Sequence, residues 1–368
     1  MVVLRVLLFL AGVAAVLFAV RSVIRTFVVP RALRGVLARF VFVAVRRVFR
    51  LRASDRHDYA KRDRVMAFYA PVALMTLLVV WVAILLAGFT AMFFALGDVA
   101  LLEAFTLAGS SMLTLGFAMP PDDAGVALSF TAAGLGLVLL ALFITYLPSL
   151  YGAFQRRERG VAKLEVRAGQ PPSGVYLIEL AWTVGRLESL RALWAEWEDW
   201  FTDVDETHSS FPSLVFFRST HPDQSWITAA GAILDGAALF ASTVDTPRQP
   251  EPEFMIRSGY LCLRHLAEFF NIPVDHDPRP DDPISITREE FEAAAERLQT
   301  SGVPLRPDRD RSWRDFAGWR VNYDVALVAL ARLSMAPRAP WSSDLYEDVH
   351  FVPPALPWLR RSGTGTRG

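Results

Sequence analysis

Cysteine and lysine are almost missing from this chain of 368 residues. Cys262 is the single cysteine, which excludes a disulfide framework, and a lone cysteine in an apolar run is typical of a small buried hydrophobic residue. Lys61 and Lys163 are the only lysines, so arginine carries nearly all of the positive charge. With 53% hydrophobic residues and a mean hydropathy of +0.30, the bulk of the chain is not disordered, collagen-like or a coiled coil.

Charge of either sign is missing from two long stretches. Residues 65–97 and 124–155 contain no Asp, Glu, Lys or Arg, and each exceeds the roughly 20 apolar residues that cross a bilayer as a helix. Both are predicted to be transmembrane helices. Residues 1–20, apolar except for Arg5, are a third candidate. They fit an uncleaved membrane helix better than a signal peptide, because no clear cleavage site of small residues precedes Arg21.

The formal net charge of zero conceals two oppositely charged parts. Residues 1–150 carry a net charge of +7 and residues 151–368 a net charge of −7. The positive charge lies mainly in residues 21–64 and just beyond the last predicted span. The positive-inside rule places both stretches in the cytoplasm, and it leaves the connection 98–123 outside. The sequence therefore predicts a multi-pass protein of the plasma membrane with a cytoplasmic C-terminal domain.

Arginines alternate with Leu, Val and Phe over residues 31–52. One interpretation is an interfacial helix whose guanidinium groups meet the anionic head groups of membrane lipids. The other interpretation is that these arginines supply positive-inside charge and have no further role. The sequence leaves both interpretations open.

The connection between the last two predicted spans is apolar where an ordinary external loop would be polar. Residues 104–121 carry no charge, and the connection is too short to cross the membrane twice as helices. The pattern fits a helix over about residues 99–112, with Asp98 as its cap and Glu103 near its positive end, followed by an extended return. The negative C-terminal end of this helix would point into the membrane, where it favours a cation. The connection is therefore predicted to be a re-entrant pore loop.

The order of helix, pore loop and helix over about residues 65–153 resembles the pore module of potassium channels. The resemblance is carried by Ser110-Ser111-Met112-Leu113-Thr114-Leu115-Gly116-Phe117, set beside that family's filter Thr-Val-Gly-Tyr-Gly-Asp. It implies that the K⁺ hydration shell is replaced by main-chain carbonyls, together with the Thr114 hydroxyl. The implied carbonyls are those of residues 114–117, the predicted filter residues: Thr114, Leu115, Gly116 and Phe117. The resemblance also implies a homotetramer with K⁺ as the permeant ion and no cofactor.

Two residues depart from that family's filter. Ala118 stands where the family has a second glycine, and Met119 stands where it has aspartate. The family's glycine takes a left-handed backbone, in which a Cβ costs about 1–2 kcal/mol, so we expect a distorted outermost ion site. Asp122 and Asp123 are expected to concentrate cations at the pore mouth. The sequence therefore predicts a cation pore and leaves its K⁺ selectivity open.

The last predicted span contains residues typical of a gating hinge. Gly134 and Gly136 lie in its middle, and Pro148 lies near its cytoplasmic end, where it can kink a helix. Small residues also serve close packing between membrane helices. Hinge and packing remain equal alternatives at this stage.

Residues 154–358 are predicted to form a mostly helical cytoplasmic domain, followed by a disordered tail over residues 359–368. The best candidate for a strand is 214–217. Residues 227–244 are apolar apart from Asp235, so a fourth span is the alternative to a buried helix there. Helices are expected over about 175–205, 224–244, 253–271, 287–300 (with a capping box of Thr287 and Glu290) and 311–335.

No polar cluster of this domain indicates catalysis. Residues 231–236 lack the G-x-G-x-x-G spacing of a nucleotide-binding loop, and the serines lack the sequence context of a catalytic nucleophile. A group of carboxylates and a histidine within six positions fits a helix end or a solvated face better than a metal site: Asp203, Asp205, Glu206 and His208.

The sequence as a whole predicts an all-α membrane protein with three transmembrane helices, a re-entrant pore loop and a helical cytoplasmic domain. Residues 1–64 form its N-terminal membrane helix and basic segment, and residues 65–153 form its pore module. The predicted function is a potassium-channel-like cation channel that the cytoplasmic domain gates or regulates, without enzyme activity or a nucleic-acid partner. The alternative is a membrane-anchored interaction or regulatory protein with a degenerate, non-conducting loop. A tethered enzyme or receptor is the third possibility.

Overall fold

A computed structural model describes residues 2–29, 35–52, 59–97 and 99–343. Within these ranges the chain is helical and has no strand, apart from one isolated bridge between Val244 and Leu305. The chain divides into two compact units. The first unit comprises Met1–Phe154 and Ser209–Phe217, and the second comprises Gln155–His208 and Arg218–Gly368. The predicted cap Asp98 and the predicted tail 359–368 lie outside the described residues.

Six helices build the first unit: α1 (Val2–Phe27), α2 (Val36–Arg52), α3 (Tyr59–Ala67), α4 (Tyr69–Leu96), α5 (Leu101–Met112) and α6 (Asp123–Ala168), the last of which continues into the second unit. Three segments of the described chain are long and apolar enough to cross a membrane here, namely α1, α3 together with α4, and α6. The helix predicted over 99–112 is observed as α5, with Glu103 in its first turn. The described part of the Arg-rich segment 31–52 is the helix α2.

Helix α1 packs along α4 through a pair of glycines. A Cβ added at Gly12 would lie 2.6 Å from the carbonyl oxygen of Gly88, and one added at Gly88 would lie 3.0 Å from the carbonyl oxygen of Gly12. Small residues that let two backbones approach are typical of helix packing in membranes. Further along, the indole N–H of Trp81 donates a hydrogen bond to Ser22 Oγ at 3.0 Å. These contacts join α1 to α4 at two points along its length.

The second unit contains the C-terminal part of α6 and seven further helices: α7 (Gly174–Thr183), α8 (Leu190–Ser210, whose last two residues belong to the first unit), α9 (Trp226–Thr243), α10 (Glu251–Phe269), α11 (Arg288–Thr300), α12 (Arg309–Arg320) and α13 (Asp324–Ser334). Helix α9 forms the centre, with α7, α10, α12 and α13 packed around it. The capping box predicted for Thr287 and Glu290 is confirmed at the start of α11.

Helix α9 is also apolar and long enough to cross a membrane, but 94% of its residues are buried inside the protein. In its middle, Asp235 accepts hydrogen bonds from Arg320 Nη1 at 2.5 Å and from the Tyr323 hydroxyl at 2.9 Å. Arg320 also pairs with Asp324, at 2.7 Å from Nε. A helix enclosed by other helices and ion-paired at its centre has little surface left for lipid. The buried-helix interpretation therefore fits α9 better than a fourth span.

Three secondary-structure predictions for this region are wrong. The helix predicted over 175–205 is two helices, α7 and α8, because Gly185 takes a left-handed φ of +66° that ends α7. The helix predicted over 311–335 is also two, because the Asn322 side chain donates to the carbonyl of Gly318 at 2.9 Å and closes α12. Residues 214–216 of the strand candidate 214–217 lie in a 3₁₀ turn, Pro212–Phe216, whose first residue has the fixed φ of proline, and Phe217 follows the turn in extended backbone.

Candidate functional site

The loop after α5 is organised by one buried residue, Ser110. Its main-chain carbonyl accepts hydrogen bonds from the N–H groups of Leu115 at 2.8 Å and Gly116 at 3.3 Å. Its side-chain Oγ accepts hydrogen bonds from the N–H groups of Phe117 at 3.1 Å and Ala118 at 3.0 Å. Four successive N–H groups of the returning chain therefore point towards a single residue. The sequence analysis did not assign this role to Ser110, because no local pattern marks a contact that spans eight positions.

This arrangement fixes the direction of the predicted filter carbonyls. A trans peptide is planar, and its N–H and C=O groups point in opposite directions. The N–H groups of residues 115–118 share their peptides with the carbonyls of residues 114–117. The four carbonyls therefore all point away from Ser110, to one side of the loop. In a β-strand, by contrast, the pleat turns successive peptides to opposite sides.

The backbone angles explain how four successive peptides share one direction. Thr114 has a φ of +56° and Gly116 a φ of +71°, whereas Leu115 and Phe117 have no positive φ. Alternation of left-handed and right-handed residues turns successive N–H groups to the same side. The left-handed conformation costs a residue with a Cβ about 1–2 kcal/mol, so Thr114 is strained. Strain of this kind clusters at functional sites.

The predicted distortion at Ala118 rests on a wrong premise. Ala118 does not take a positive φ, so its Cβ adds no left-handed strain. Its methyl group is half-buried against the apolar cluster that α1, α2, α4, α5 and α6 share. The left-handed positions are Thr114 and Gly116 instead. At Gly116 no heavy atom lies within 4 Å of an added Cβ, so glycine is required there by φ and not by space.

The filter residues and the residue after Ala118 are exposed in the single chain. Leu115 is 59% exposed, Phe117 is 67% exposed and Met119 is 90% exposed. Large apolar side chains at this level of exposure are typical of a surface that lipid or another chain covers. The structure thus turns the four predicted carbonyls to one side of a loop whose residues 114–117 are exposed.

The predicted pore-mouth residues lie at the start of α6. Asp122 Oδ1 accepts a hydrogen bond from the N–H of Gly125 at 2.6 Å, and Asp123 is the first residue of the helix. Both side chains are exposed. Their first observed role is to cap the helix and to complement its positive end. Concentration of cations by these carboxylates stays a prediction.

The three predicted hinge residues differ in their surroundings. A Cβ added at Gly136 would lie 2.0 Å from the carbonyl oxygen of Met112, so Gly136 permits α6 to pack against the end of α5. At Gly134 no heavy atom lies within 4 Å of an added Cβ. Pro148 lies inside α6, which continues through it to Ala168. Close packing therefore accounts for Gly136, whereas a hinge at Gly134 or Pro148 stays a prediction.

The chain leaves the second unit after His208 and contributes Ser209–Phe217 to the first unit. This return segment, residues 209–217, packs on the start of α4 and on the interior of α6. The ring centroids of Phe216 and Tyr69 are 5.4 Å apart, those of Phe211 and Tyr146 5.2 Å, and Phe217 lies 5.8 Å from Phe154. Arg46 of α2 lies 5.4 Å above the Phe216 ring. Sequence analysis missed this element, although three phenylalanines within seven positions were the available signal.

Two buried residues of the second unit flank the points where the chain passes between the units. Arg157 of α6 and His208 of α8 are both buried, and Arg157 Nη1 lies 3.1 Å from His208 Nε2. Because His208 Nδ1 lies 2.9 Å from the carbonyl of Val204, the proton is on Nδ1 and Nε2 accepts from Arg157. Burial, and next the Arg157 charge, hold the pKa of His208 well below its usual range. Glu158 balances Arg157 at 2.7 Å.

Two of the three carboxylates near His208 are paired with basic side chains. Asp203 accepts from Arg156 at 3.2 Å, and Asp205 lies 2.9 Å from His265 Nδ1. Across the described ranges no three His, Cys, Asp or Glu side chains come together as a metal site would require.

Comparison with known proteins yields a relative among bacterial membrane proteins. No protein-family model matches the chain, and no solved structure matches it. The chain is 21% identical over 260 residues to the uncharacterized membrane protein YdjJ of Bacillus subtilis (strain 168), a match that covers 67% of this chain and 72% of that protein. The relative and the apolar helices together support one coarse statement. The chain is an all-α, multi-pass membrane protein.

Proposed function

We propose that the chain is the subunit of a tetrameric, potassium-channel-like cation channel whose path is lined by the carbonyls of residues 114–117. The common direction of these four carbonyls carries the proposal. Oxygen is the ligand that hard cations prefer, and rows of carbonyls replace the hydration shell of an ion in a filter. A carbonyl at membrane depth that lacks a hydrogen-bond partner costs free energy. A bound ion or water would supply the partner that these four carbonyls need.

The same geometry supports a closed oligomer, and the resemblance to potassium channels implies that it has four chains. One chain supplies oxygens from one side, and an ion that sheds its water needs oxygens all round. Closed cyclic symmetry gives this surround from identical chains. It would also cover the exposed Leu115 and Phe117 with neighbouring subunits.

The proposed orientation rests on arginine. The positive-inside rule places α2 and the basic part of α6 in the cytoplasm of the cell, with the protein in the plasma membrane. Arg47, Arg50 and Arg52 are exposed on α2. Guanidinium groups there would contact anionic lipid head groups, each contributing about 1 kcal/mol near the surface.

The return segment supports regulation by the C-terminal unit. In this orientation Tyr69 begins α4 on the cytoplasmic side, and Phe154 lies in α6 where its uncharged stretch ends. The return segment packs against both residues. Its chain continues directly from His208 on one side and into Arg218 on the other, both in the second unit. A conformational change in the second unit would therefore reach these positions of α4 and α6 through the covalent chain.

The test is a reversal potential measured on the full chain in planar bilayers, with K⁺ on one side and Na⁺ on the other. We expect a reversal near the K⁺ equilibrium value. A reversal near zero would keep the pore and discard selectivity. A preparation shown to be tetrameric that passes neither K⁺ nor Tl⁺ would overturn the proposal and favour the non-conducting regulatory protein.

A further inference from the structure

We propose that Ser110 is the positioning residue for the outer half of the filter, and that its hydroxyl holds the carbonyls of Gly116 and Phe117 towards the ion. The inference deepens the proposed channel function and rests on it. It assigns to a side chain the task of ordering the end of the filter at which Ala118 replaces a glycine.

The two halves of the filter are held by different atoms of the same residue. The carbonyls of Thr114 and Leu115 share peptides with N–H groups that bond the main-chain oxygen of Ser110. The carbonyls of Gly116 and Phe117 share peptides with N–H groups that bond its Oγ. Replacing Ser110 with alanine therefore removes the acceptor of the outer half and leaves the main-chain acceptor of the inner half in place.

The hydroxyl has no substitute nearby. Within the described ranges the amides of Phe117 and Ala118 hydrogen-bond to Ser110 Oγ and to no other acceptor. Ser110 is 1% exposed, so solvent does not reach its side chain in the single chain. Loss of one partner of a buried hydrogen bond leaves the other group without its acceptor. The outer two peptides would then be free to rotate.

The position of Ala118 explains why a side chain is needed. Ala118 is half-buried with its methyl group against the apolar cluster, and its φ is not left-handed. The last turn of the filter therefore does not use the conformational freedom of a second glycine. The bond from the Ala118 N–H to Ser110 Oγ fixes the preceding peptide in its place.

The experiment compares Ser110→Ala, Ser110→Thr and Thr106→Ala in the reconstituted full chain. Thr106 is the control, because its hydroxyl on the same helix bonds only the carbonyl of Leu102. We expect Ser110→Ala to lower the K⁺/Na⁺ permeability ratio by about fivefold or more, the factor that one hydrogen bond of average strength represents. Ser110→Thr keeps a hydroxyl and should restore the ratio. An unchanged ratio in Ser110→Ala would overturn the inference.

Amide hydrogen exchange separates this inference from the proposed function. In the tetramer we expect Ser110→Ala to speed exchange at Phe117 and Ala118 by about fivefold, with Leu115 and Gly116 as in the wild type. Ser110→Thr should exchange like the wild type at all four. Equal acceleration at all four amides, or none, would overturn the positioning role. This readout holds even if the wild type conducts no ion, which would refute the channel alone.

Discussion

Gly116 requires glycine because of its backbone angle, not because of crowding. A Cβ at its φ of +71° costs about 1–2 kcal/mol, yet nothing within 4 Å obstructs it. We expect Gly116→Ala to fold and assemble, since the space is open, but to lose K⁺ current by at least tenfold because the peptide on either side rotates. Native mass spectrometry and bilayer recording check the two parts. Full current in the variant would contradict the proposed filter.

We expect His208 to make the second unit sensitive to acid. Burial, and next the charge of Arg157 on α6, hold the pKa of His208 in the folded chain well below 6.5. The Trp226 ring of α9 also packs against His208, with the ring centroids 5.2 Å apart. In the unfolded chain His208 takes up a proton below about pH 6.5. In the folded chain it remains neutral at that pH. Stability is therefore fully present above pH 6.5 and falls by about 1.4 kcal/mol per pH unit below it, until the folded pKa is reached.

The measurement is the free energy of unfolding by urea between pH 5 and 8, followed by tryptophan fluorescence. His208→Gln keeps an acceptor for Arg157 but does not titrate, so it should lack this loss. His265→Gln is the matched control, because His265 is half-exposed and pairs with Asp205. If the slopes of the wild type and His208→Gln coincide below pH 6.5, the assignment fails.

At the level of single residues, the sequence predicted the helix and the return of the loop but not the residue that orders the return. A threonine, a glycine and a phenylalanine at fixed spacing in an apolar connection indicate where the carbonyls lie. Ser110 escaped prediction because its contacts with Phe117 and Ala118 depend on where the chain reverses. Ala118 was misjudged for the same reason, since φ at that position depends on the whole loop.

Two glycines of α6, two positions apart, separate packing from hinge motion. An alanine at Gly136 would place its Cβ 2.0 Å from a backbone carbonyl of α5, so we expect Gly136→Ala to lose about 1–3 kcal/mol or more through overpacking. Gly134→Ala meets open space and should be neutral or gain up to about 1 kcal/mol in helix propensity. Thermal unfolding of the two variants in detergent checks the order.

The same pair tests the predicted hinge. If Gly134 bends during gating, Gly134→Ala should change the open probability while unfolding and assembly stay as in the wild type. If Gly134→Ala destabilises the chain as much as Gly136→Ala does, the structural distinction between the two positions is wrong.

At the level of elements, helix positions were predictable and helix breaks were not. The breaks after α7 and α12 interrupt an apolar pattern that continues across them, so periodicity gives no warning. A left-handed Gly185 and the Asn322 side chain produce them through local geometry. The return segment was missed because its phenylalanines bind partners more than 50 positions away, on α4 and α6.

The whole molecule follows from the distribution of charge. Uncharged stretches predicted the apolar helices, and the change of net charge from +7 to −7 predicted two parts with different surroundings. The structure adds that each unit is built from two separate stretches of sequence, since the first unit includes residues 209–217. The distribution of charge does not predict that residues 209–217 belong to the first unit, because this depends on how the chain folds back and not on its charge.

Assembly and ion binding should be linked. If four chains of 41.0 kDa each complete the filter, the ion binds the tetramer and not the separated chains, and so stabilises it by mass action. An ion at about 100 times its dissociation constant adds about 2.7 kcal/mol. We therefore expect native mass spectrometry to show a tetramer that dissociates at a higher temperature in K⁺ than in Na⁺ or a large organic cation. Gly116→Ala should abolish this difference between ions while remaining tetrameric. A monomer, or a tetramer with one dissociation temperature in all three cations, would contradict a filter built from residues 114–117.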